Sequence, residues 1–389
     1  TMPTGVENSG WLINGKKPNT ASAPGIVSAE MTWETVRSWN IGFDFGLLNN
    51  RLTGSFDYFV RNTLDMIGPA PQLPATLGAT VPKVNNADMK AWGFEVEVSW
   101  RDRIKDFNYG VKFVLSDDQR KVTRYPNEEL NRNQWYAGRM DGLVWGYETV
   151  GIAKTDAEME AHLASLPNGG QSQLGSKWAA GDIMYKDLNG DGKISSGDGT
   201  LNDLGDLKVV ANTQLRFKYG LTLDASWKGF DFSAFFQGVG KRDVVVGGPY
   251  FWGANGQGMW QAAAFKDHMD YFRPEDTESV FGPNVDAYYP RVIFGGGSSE
   301  GGKNTLTQSR YVQNGAYIRL KNLQLGYTLP STITKKFAVN SLRVYVSGDN
   351  LWTGTKMRVF DPEVLGSTGD AGKAYPLARV WSVGLNVNF

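Results

Sequence analysis

Tyr375-Pro-Leu-Ala-Arg-Val-Trp-Ser-Val-Gly-Leu-Asn-Val-Asn-Phe389 is the stretch whose reading decides the fold. Tyr375, Leu377, Trp381, Val383, Leu385, Val387 and Phe389 occupy odd positions, whereas Ser382, Gly384, Asn386 and Asn388 occupy even ones. Side chains alternate across a strand with period two, so one face is apolar and the other small and polar. An aromatic residue stands at each end of the apolar face. That arrangement suits a strand that faces lipid and meets a membrane interface at both ends.

The pattern recurs along the chain. Ile41, Phe43, Phe45 and Leu47 alternate with Asn40, Gly42, Asp44 and Gly46, and Leu48-Asn-Asn50 turns the chain into a second strand carrying Phe56, Tyr58 and Val60. Trp92, Phe94, Val96, Val98 and Trp100 mark a third strand, and Phe107, Tyr109, Val111, Phe113 and Leu115 a fourth. Leu215 to Trp227 and Phe230 to Phe236 form a hairpin through Lys228-Gly229, a turn-forming dipeptide. Strands at 317–329 and 341–351 precede the final one. Ile318 and Leu320 fall out of phase with Leu323, Leu325 and Tyr327, which predicts a bulge between them.

These nine strands are joined alternately by short turns (48–50, 101–106, 228–229, 330–340) and by long loops (about 62–88, 118–208, 241–314 and 353–374). Short periplasmic turns alternating with long extracellular loops are the rhythm of an antiparallel transmembrane β-barrel. A soluble sandwich has no reason to gather every long loop at one end. Asp44, Glu95, Glu97, Lys112, Arg216, Lys218, Asp224 and Asp231 fall on the face opposite the aromatics, where a wet lumen accommodates them. Nine strands leave edges that lipid cannot satisfy, so the expected fold class is all-β, the C-terminal portion of a larger barrel.

Composition narrows the function. No run of about 18 apolar residues exists, which excludes a membrane helix. Forty basic and forty acidic residues cancel, against a nucleic-acid partner or a polybasic membrane-surface protein. Cysteine is absent, and neither Gly-x-Ser-x-Gly nor His-Glu-x-x-His occurs, so an enzyme is not expected.

Several words in the sequence resemble the SusC-like (SusC/RagA) branch of TonB-dependent transporters. They are Trp39-Asn-Ile-Gly-Phe-Asp44, Leu73-Pro-Ala-Thr-Leu-Gly78, Asn86-Ala-Asp-Met-Lys-Ala-Trp-Gly-Phe-Glu-Val-Glu97, Gly181-Asp-Ile-Met-Tyr-Lys-Asp-Leu-Asn-Gly-Asp-Gly192, Tyr317-Ile-Arg-Leu-Lys-Asn322, Gly348-Asp-Asn-Leu351 and Asp361-Pro-Glu363. The resemblance runs from about residue 33 to 389. It implies a nutrient importer in the outer membrane of a Gram-negative bacterium, with a barrel of about 22 strands around a plug. It also implies a SusD-like lipoprotein lid and TonB as partners, the latter through an N-terminal plug portion. Oligosaccharides are the first expectation for cargo and oligopeptides the second; a passive diffusion porin is the competing class.

Two candidate sites follow from the residues. Asp187-Leu-Asn-Gly-Asp-Gly-Lys-Ile-Ser-Ser-Gly-Asp198 matches an EF-hand loop, with Asp187, Asn189, Asp191, the Lys193 carbonyl, Ser195 and Asp198 as oxygen ligands. The ion expected is Ca2+, or Mg2+ because Asp198 stands where a bidentate Glu is usual, and its role structural. Phe251, Trp252, Trp260 and Tyr271, with Phe272, lie in an outer loop, where aromatics either stack on sugar rings or pack within the loop. Thr155-Asp-Ala-Glu158 opens a short helix to about Leu166. His162 and His268 are isolated in sequence and expected at the surface.

Overall fold

The computed structural model describes residues 4–6, 12–21, 26, 28–29, 31–69, 81–255, 264–294, 299–365 and 374–389. Nine long strands dominate: β1 (Thr35–Leu47), β2 (Leu52–Ile67), β3 (Asn85–Ile104), β4 (Phe107–Arg124), β5 (Arg216–Trp227), β6 (Phe230–Lys241), β7 (Tyr317–Thr328), β8 (Ser341–Thr355) and β9 (Val380–Asn388). Each pairs antiparallel with its neighbours in sequence, giving one nine-stranded sheet in the order β9 to β1. Among the described residues β1 and β9 are its two edges.

The turns follow from local chemistry. Lys228 and Gly229 both have positive φ, at 46° and 91°, which a two-residue hairpin of type I′ requires. A Cβ at Gly229 would sit 2.7 Å from the Thr328 carbonyl, so only glycine fits there. Leu48, Asn49 and Asn50 are likewise left-handed. The turn expected at 101–106 shrinks to Lys105-Asp106, because β3 runs to Ile104 and β4 starts at Phe107.

Strand ends are the main departure from expectation. The outer loops span 68–84, 125–215, 242–316 and 356–379, each starting later than alternation predicts. The outer strand ends that alternation misses carry charged residues held by ion pairs between strands. Arg124 bonds Asp88 and Asp65 across β4, β3 and β2, and Arg216 forks onto Asp117. Strands of 16–20 residues exceed the 9–11 or so that cross a bilayer, so these ends stand above it.

Register confirms two faces. Phe43, Phe56, Val96, Leu115 and Tyr219 share one row, and Asp44, Ser55, Glu97, Val114 and Gly220 the next. On the first face large apolar side chains stay open: Val383 is 77% exposed and Leu385 67%. On the second, Lys112 pairs with Glu97 at 2.7 Å, and Arg343 forks onto Asp231 with Gln324 as a third partner. The expected bulge is present: the register slips at Lys321 toward both neighbours of β7. Phe217, at φ 54°, interrupts the alternation that places Arg216 on the lumen row.

The described parts of three of the long loops pack together. Residues from 147–207, 244–252, 271–311 and 357–365 share one buried cluster around Ile183, Tyr185, Phe251, Trp252 and Tyr311. Helix α1 (Asp156–Ala164) buries Met159 in a smaller cluster with Ala153 and Met184, and Thr155 accepts the Glu158 N–H at 3.1 Å as expected. The outer segments therefore form a packed cap with its own core.

Candidate functional site

The sheet's lumen row and residues 362–365 border a half-open cavity of about 800 Å³. β4 contributes Ser116, Asp118 and Arg120 at every second position, so one strand puts all three on the same face. Lys218 of β5 lies beside them, with its ammonium 2.8 Å from Asp118. Arg120 approaches the same carboxylate more loosely, at 3.6 Å, and is half exposed. A second cavity of about 440 Å³, reaching Arg61 and Glu95, shares Ser116, Asp118, Arg120 and Lys218 with the first. The two read as one polar trough along the lumen face.

A strap formed by residues 361–365 closes the outer side of this trough. Arg242, buried at the end of the cavity, donates to the Pro362 and Leu365 carbonyls at 2.9 and 2.6 Å. Arg319, which pairs with Gln237 on the lumen row, bonds Asp361 at 2.6 Å and Glu363 at 3.0 Å. Lys321, the bulged residue of β7, reaches Glu363 at 2.8 Å. Asp361-Pro-Glu363 is thus a clasp: two carboxylates flank a rigid proline and are gripped by two cations.

Of the two readings of the outer-loop aromatics, stacking on sugars or packing within the loop, packing describes most of them. Phe251 is fully buried and makes edge contacts with Trp252, Tyr288, Tyr289 and Tyr311. Trp252 is also buried, edge-on to Tyr311. Tyr271 is half-buried beneath the Arg273 guanidinium, and Phe272 is in the core. Trp260 lies outside the described residues. Burial pushes the Tyr289 and Tyr311 hydroxyls well up, as an apolar surrounding should. His268 corrects the expectation of a surface position: it is buried, with Nδ1 accepting from Phe265 N–H and Nε2 facing the Tyr250 carbonyl. His162 is half-buried against Gln171, and burial lowers its pKa.

The 187–198 loop is formed, but its carboxylates turn to their own backbone. Asp187 accepts the Gly190 and Gly192 N–H groups at 2.6 and 2.9 Å, and Gly192 takes the expected positive φ of 78°. Burial works to raise the Asp187 pKa, and the hydrogen bonds it makes, those from the Gly192 and Gly190 N–H groups foremost, outweigh it. Asn189 and Asp191 bond within the loop, the Ser195 hydroxyl accepts the Gly197 N–H, and Asp198 turns to the Thr200 N–H at 2.7 Å. Asp206, absent from the motif, is fully buried beside Asp187 and accepts from Leu188 and Ser195; burial first, and then the Asp187 charge, raises its pKa. Among the described residues no three acidic or histidine side chains converge as a metal-holding group, so the set fits an ion only in part.

The largest feature hidden from the sequence is Asp182. It is fully buried, accepts a two-pronged bond from Arg291 at 2.7 and 2.8 Å, and pairs with the fully buried Lys303 at 2.9 Å. Lys303 also donates to the Lys177 carbonyl and lies over the Trp178 ring. The sequence signal was the family word Gly181-Asp-Ile-Met-Tyr185, which marks the position but not its partners about 110–120 residues away.

A family model described as TonB dependent receptor-like, beta-barrel, matches residues 1–351. A TonB-dependent receptor of Formosa agariphila is 27% identical over 97% of this chain and 36% of its own length. The TonB-dependent receptor SusC of Bacteroides thetaiotaomicron is 23% identical over 95% of this chain and 33% of its own. Among solved structures, that of the RagAB peptide transporter aligns over 100% of this chain and 38% of the other, with TM-score 0.70 and 23% identity. The chain thus spans roughly a third of the length of the proteins it matches, and the structural likeness is one of fold.

Proposed function

The chain belongs to the TonB-dependent receptor β-barrel family, and from that membership we propose that it forms part of the wall and cap of an outer-membrane importer for a nutrient solute. The observation that carries this reading is the polar trough on the lumen face, walled by β2–β6 and roofed by a packed cap and a tethered strap. A passive pore has no need of so ordered a roof. On this reading the protein acts by binding and passage. Further polypeptide closes the sheet between β9 and β1 and supplies a plug that TonB engages.

Oligosaccharide is the first reading for cargo, from the resemblance to SusC-like transporters. Oligopeptide is the second, and the burial of Phe251 and Trp252 favours it by removing two stacking platforms. A SusD-like lipoprotein covers the cap. Val280 and Phe281, 92% and 60% exposed at the tip of a hairpin closed by the Arg273–Asn284 bridge, offer it an apolar contact. A divalent cation in the 187–198 loop is a structural accessory, supported by the Asp-Asn-Asp spacing and the left-handed Gly192.

The test is uptake of labelled oligosaccharides and oligopeptides by cells carrying the full-length transporter, with and without TonB. Accumulation that disappears without TonB is expected. Equal uptake in both strains overturns import in favour of diffusion.

A further inference from the structure

The lipid-facing side of the sheet carries a row of cations at the outer ends of β1–β4. Trp39, Val60, Trp92 and Gln119 share one row of that face, continuing the line of Phe43, Phe56, Val96 and Leu115. Two positions further out, Arg37, Asn62, Lys90 and Lys121 form the next row on the same side. Trp39 is 53% exposed and touches Tyr58, and the Lys90 ammonium lies 5.8 Å from the centre of the Trp92 ring. On β3, Trp92 and Trp100 stand eight positions apart, about 27 Å along the strand or about 20 Å across a bilayer at a tilt of about 40°. That spacing approaches the apolar band of about 25 Å that aromatic girdles flank, so Trp39 and Trp92 mark the outer girdle. The cationic row lies about 7 Å along the strand beyond it, at the depth of lipid headgroups.

Lys90 and Lys121 sit directly opposite each other on neighbouring strands. Like charges in that relation destabilise a sheet. The acids on either side are bonded to other cations: Asp65 and Asp88, further out, to Arg124, and Asp117, further in, to Arg216. Asp118 points to the other face, where it meets Lys218. Among the described residues no ion pair includes Arg37, Lys90 or Lys121, whereas Arg120 and Arg124 on the same strand end are paired. An anion between the two lysines removes their repulsion.

We propose that this row binds the phosphate of an outer-leaflet lipid, held between Lys90 and Lys121, with Arg37 engaging the outlying headgroup oxygens. Ammonium groups serve phosphate as compact point charges, a guanidinium offers it paired donors, and bonds to an ionised acceptor are roughly twice as strong as neutral ones. Asn62, between Arg37 and Lys90 in the row, adds an amide for the headgroup's neutral oxygens. A lipid fits better than free phosphate because the surface directly below is apolar and aromatic: Trp39, Tyr58, Trp92 and Phe94 receive the acyl chains. The inference goes beyond import and rests only on the placement of the sheet in an outer membrane.

The experiment uses the purified full-length transporter in detergent, offered a lipid A carrying one phosphate or the same lipid with that phosphate removed. Native mass spectrometry counts the lipid retained. The phosphorylated form should be held about tenfold or more tightly than the dephosphorylated one. Lys90→Gln with Lys121→Gln should erase that preference, and Arg37→Gln should weaken it less. Arg101→Gln with Arg103→Gln, the same change of charge at the periplasmic end of β3, should leave it intact. Heat-modifiable migration reports folding, and Lys90→Gln alone replaces the double variant if that one does not fold. Equal retention of the two lipids, a lysine variant that keeps the preference, or displacement of the lipid by inorganic phosphate overturns the site. Uptake in cells tests import separately, so either reading can fail without the other.

Discussion

The wall and the cap are built on opposite principles from the same chain. In the wall, Val383, Leu385 and Phe389 are open on one face and charged pairs such as Lys112–Glu97 line the other. In the cap, Ile183, Tyr185 and Phe251 are wholly buried, and buried charges are held either in pairs, as Asp182 with Lys303, or by backbone groups, as Asp206 by the Leu188 and Ser195 N–H groups. The difference lies in the solvent. Lipid accepts apolar side chains but no unpaired backbone, so the wall needs only a complete hydrogen-bonded ladder and alternation. Water rewards burial, so the cap must gather apolar side chains from distant segments. The contrast predicts that the two regions lose structure independently.

The sharpest break between them is Asp182→Ala. It takes away the buried partner of Lys303, leaving only Glu300 at 3.2 Å, and frees the Arg291 fork, which should cost the cap about 3 kcal/mol. Limited proteolysis of the full-length transporter should then cut within 125–215 and 242–316 while heat-modifiable migration persists. Loss of both together means the cap is needed to hold the wall.

Leu221→Arg tests the wall by itself. Leu221 shares its row with Phe113 and Phe236, and Thr222 shares the next with Lys112. Arginine at a lipid-facing midplane position costs about 2–4 kcal/mol, whereas Thr222→Arg should be far milder. Refolding into detergent with urea titration reads the difference. Equal effects mean the faces are assigned wrongly.

A smaller effect is expected at the cation loop. Asp187→Ala removes the acceptor of two N–H groups, about 1–3 kcal/mol of local order. Added calcium or magnesium should slow cleavage between 187 and 206 in the parent protein and not in the variant. Identical cleavage with either ion and with chelator leaves the loop held by its own backbone.

The mildest test is acid. Glu300 accepts from Ser176 and Lys177 and pairs with Lys303. The Ser176 hydroxyl first, then the Ser176 N–H and Lys303, pull its carboxyl down to about 2, against the opposing effect of burial. The ionised form is the one that the fold favours. Its contribution is therefore complete above the ordinary glutamate range and is lost as pH falls toward about 2. Glu300→Gln should flatten that acid-side change in cap protease resistance; an unaltered profile would place the sensitivity elsewhere.

How much was legible follows from the range of each signal. The nine strands, the Lys228-Gly229 turn, the Thr155 cap and the bulge beside Leu320 could be read directly, because each depends on residues a few positions apart. Strand ends could not, because Arg124 and Arg216 extend the sheet through ion pairs with residues on other strands. Phe251 could be read as a stacking platform or as loop packing, and His268 as a surface residue; only the contacts with Tyr289, Tyr311 and the Tyr250 carbonyl decide that both are buried. At the cation loop the sequence specified the turn and its glycine, but tertiary structure brought Asp206 to Asp187.

The sequence alone thus determined the wall, its two faces, the alternation of short and long connections and the family. Those properties rest on period-two alternation and turn chemistry, which neighbouring residues settle among themselves. Tertiary structure decided which loop residues form a core, which acids meet which bases, and where Asp361-Pro-Glu363 fastens over the lumen. Those contacts join segments tens to more than a hundred residues apart, and no local pattern encodes which distant partner arrives.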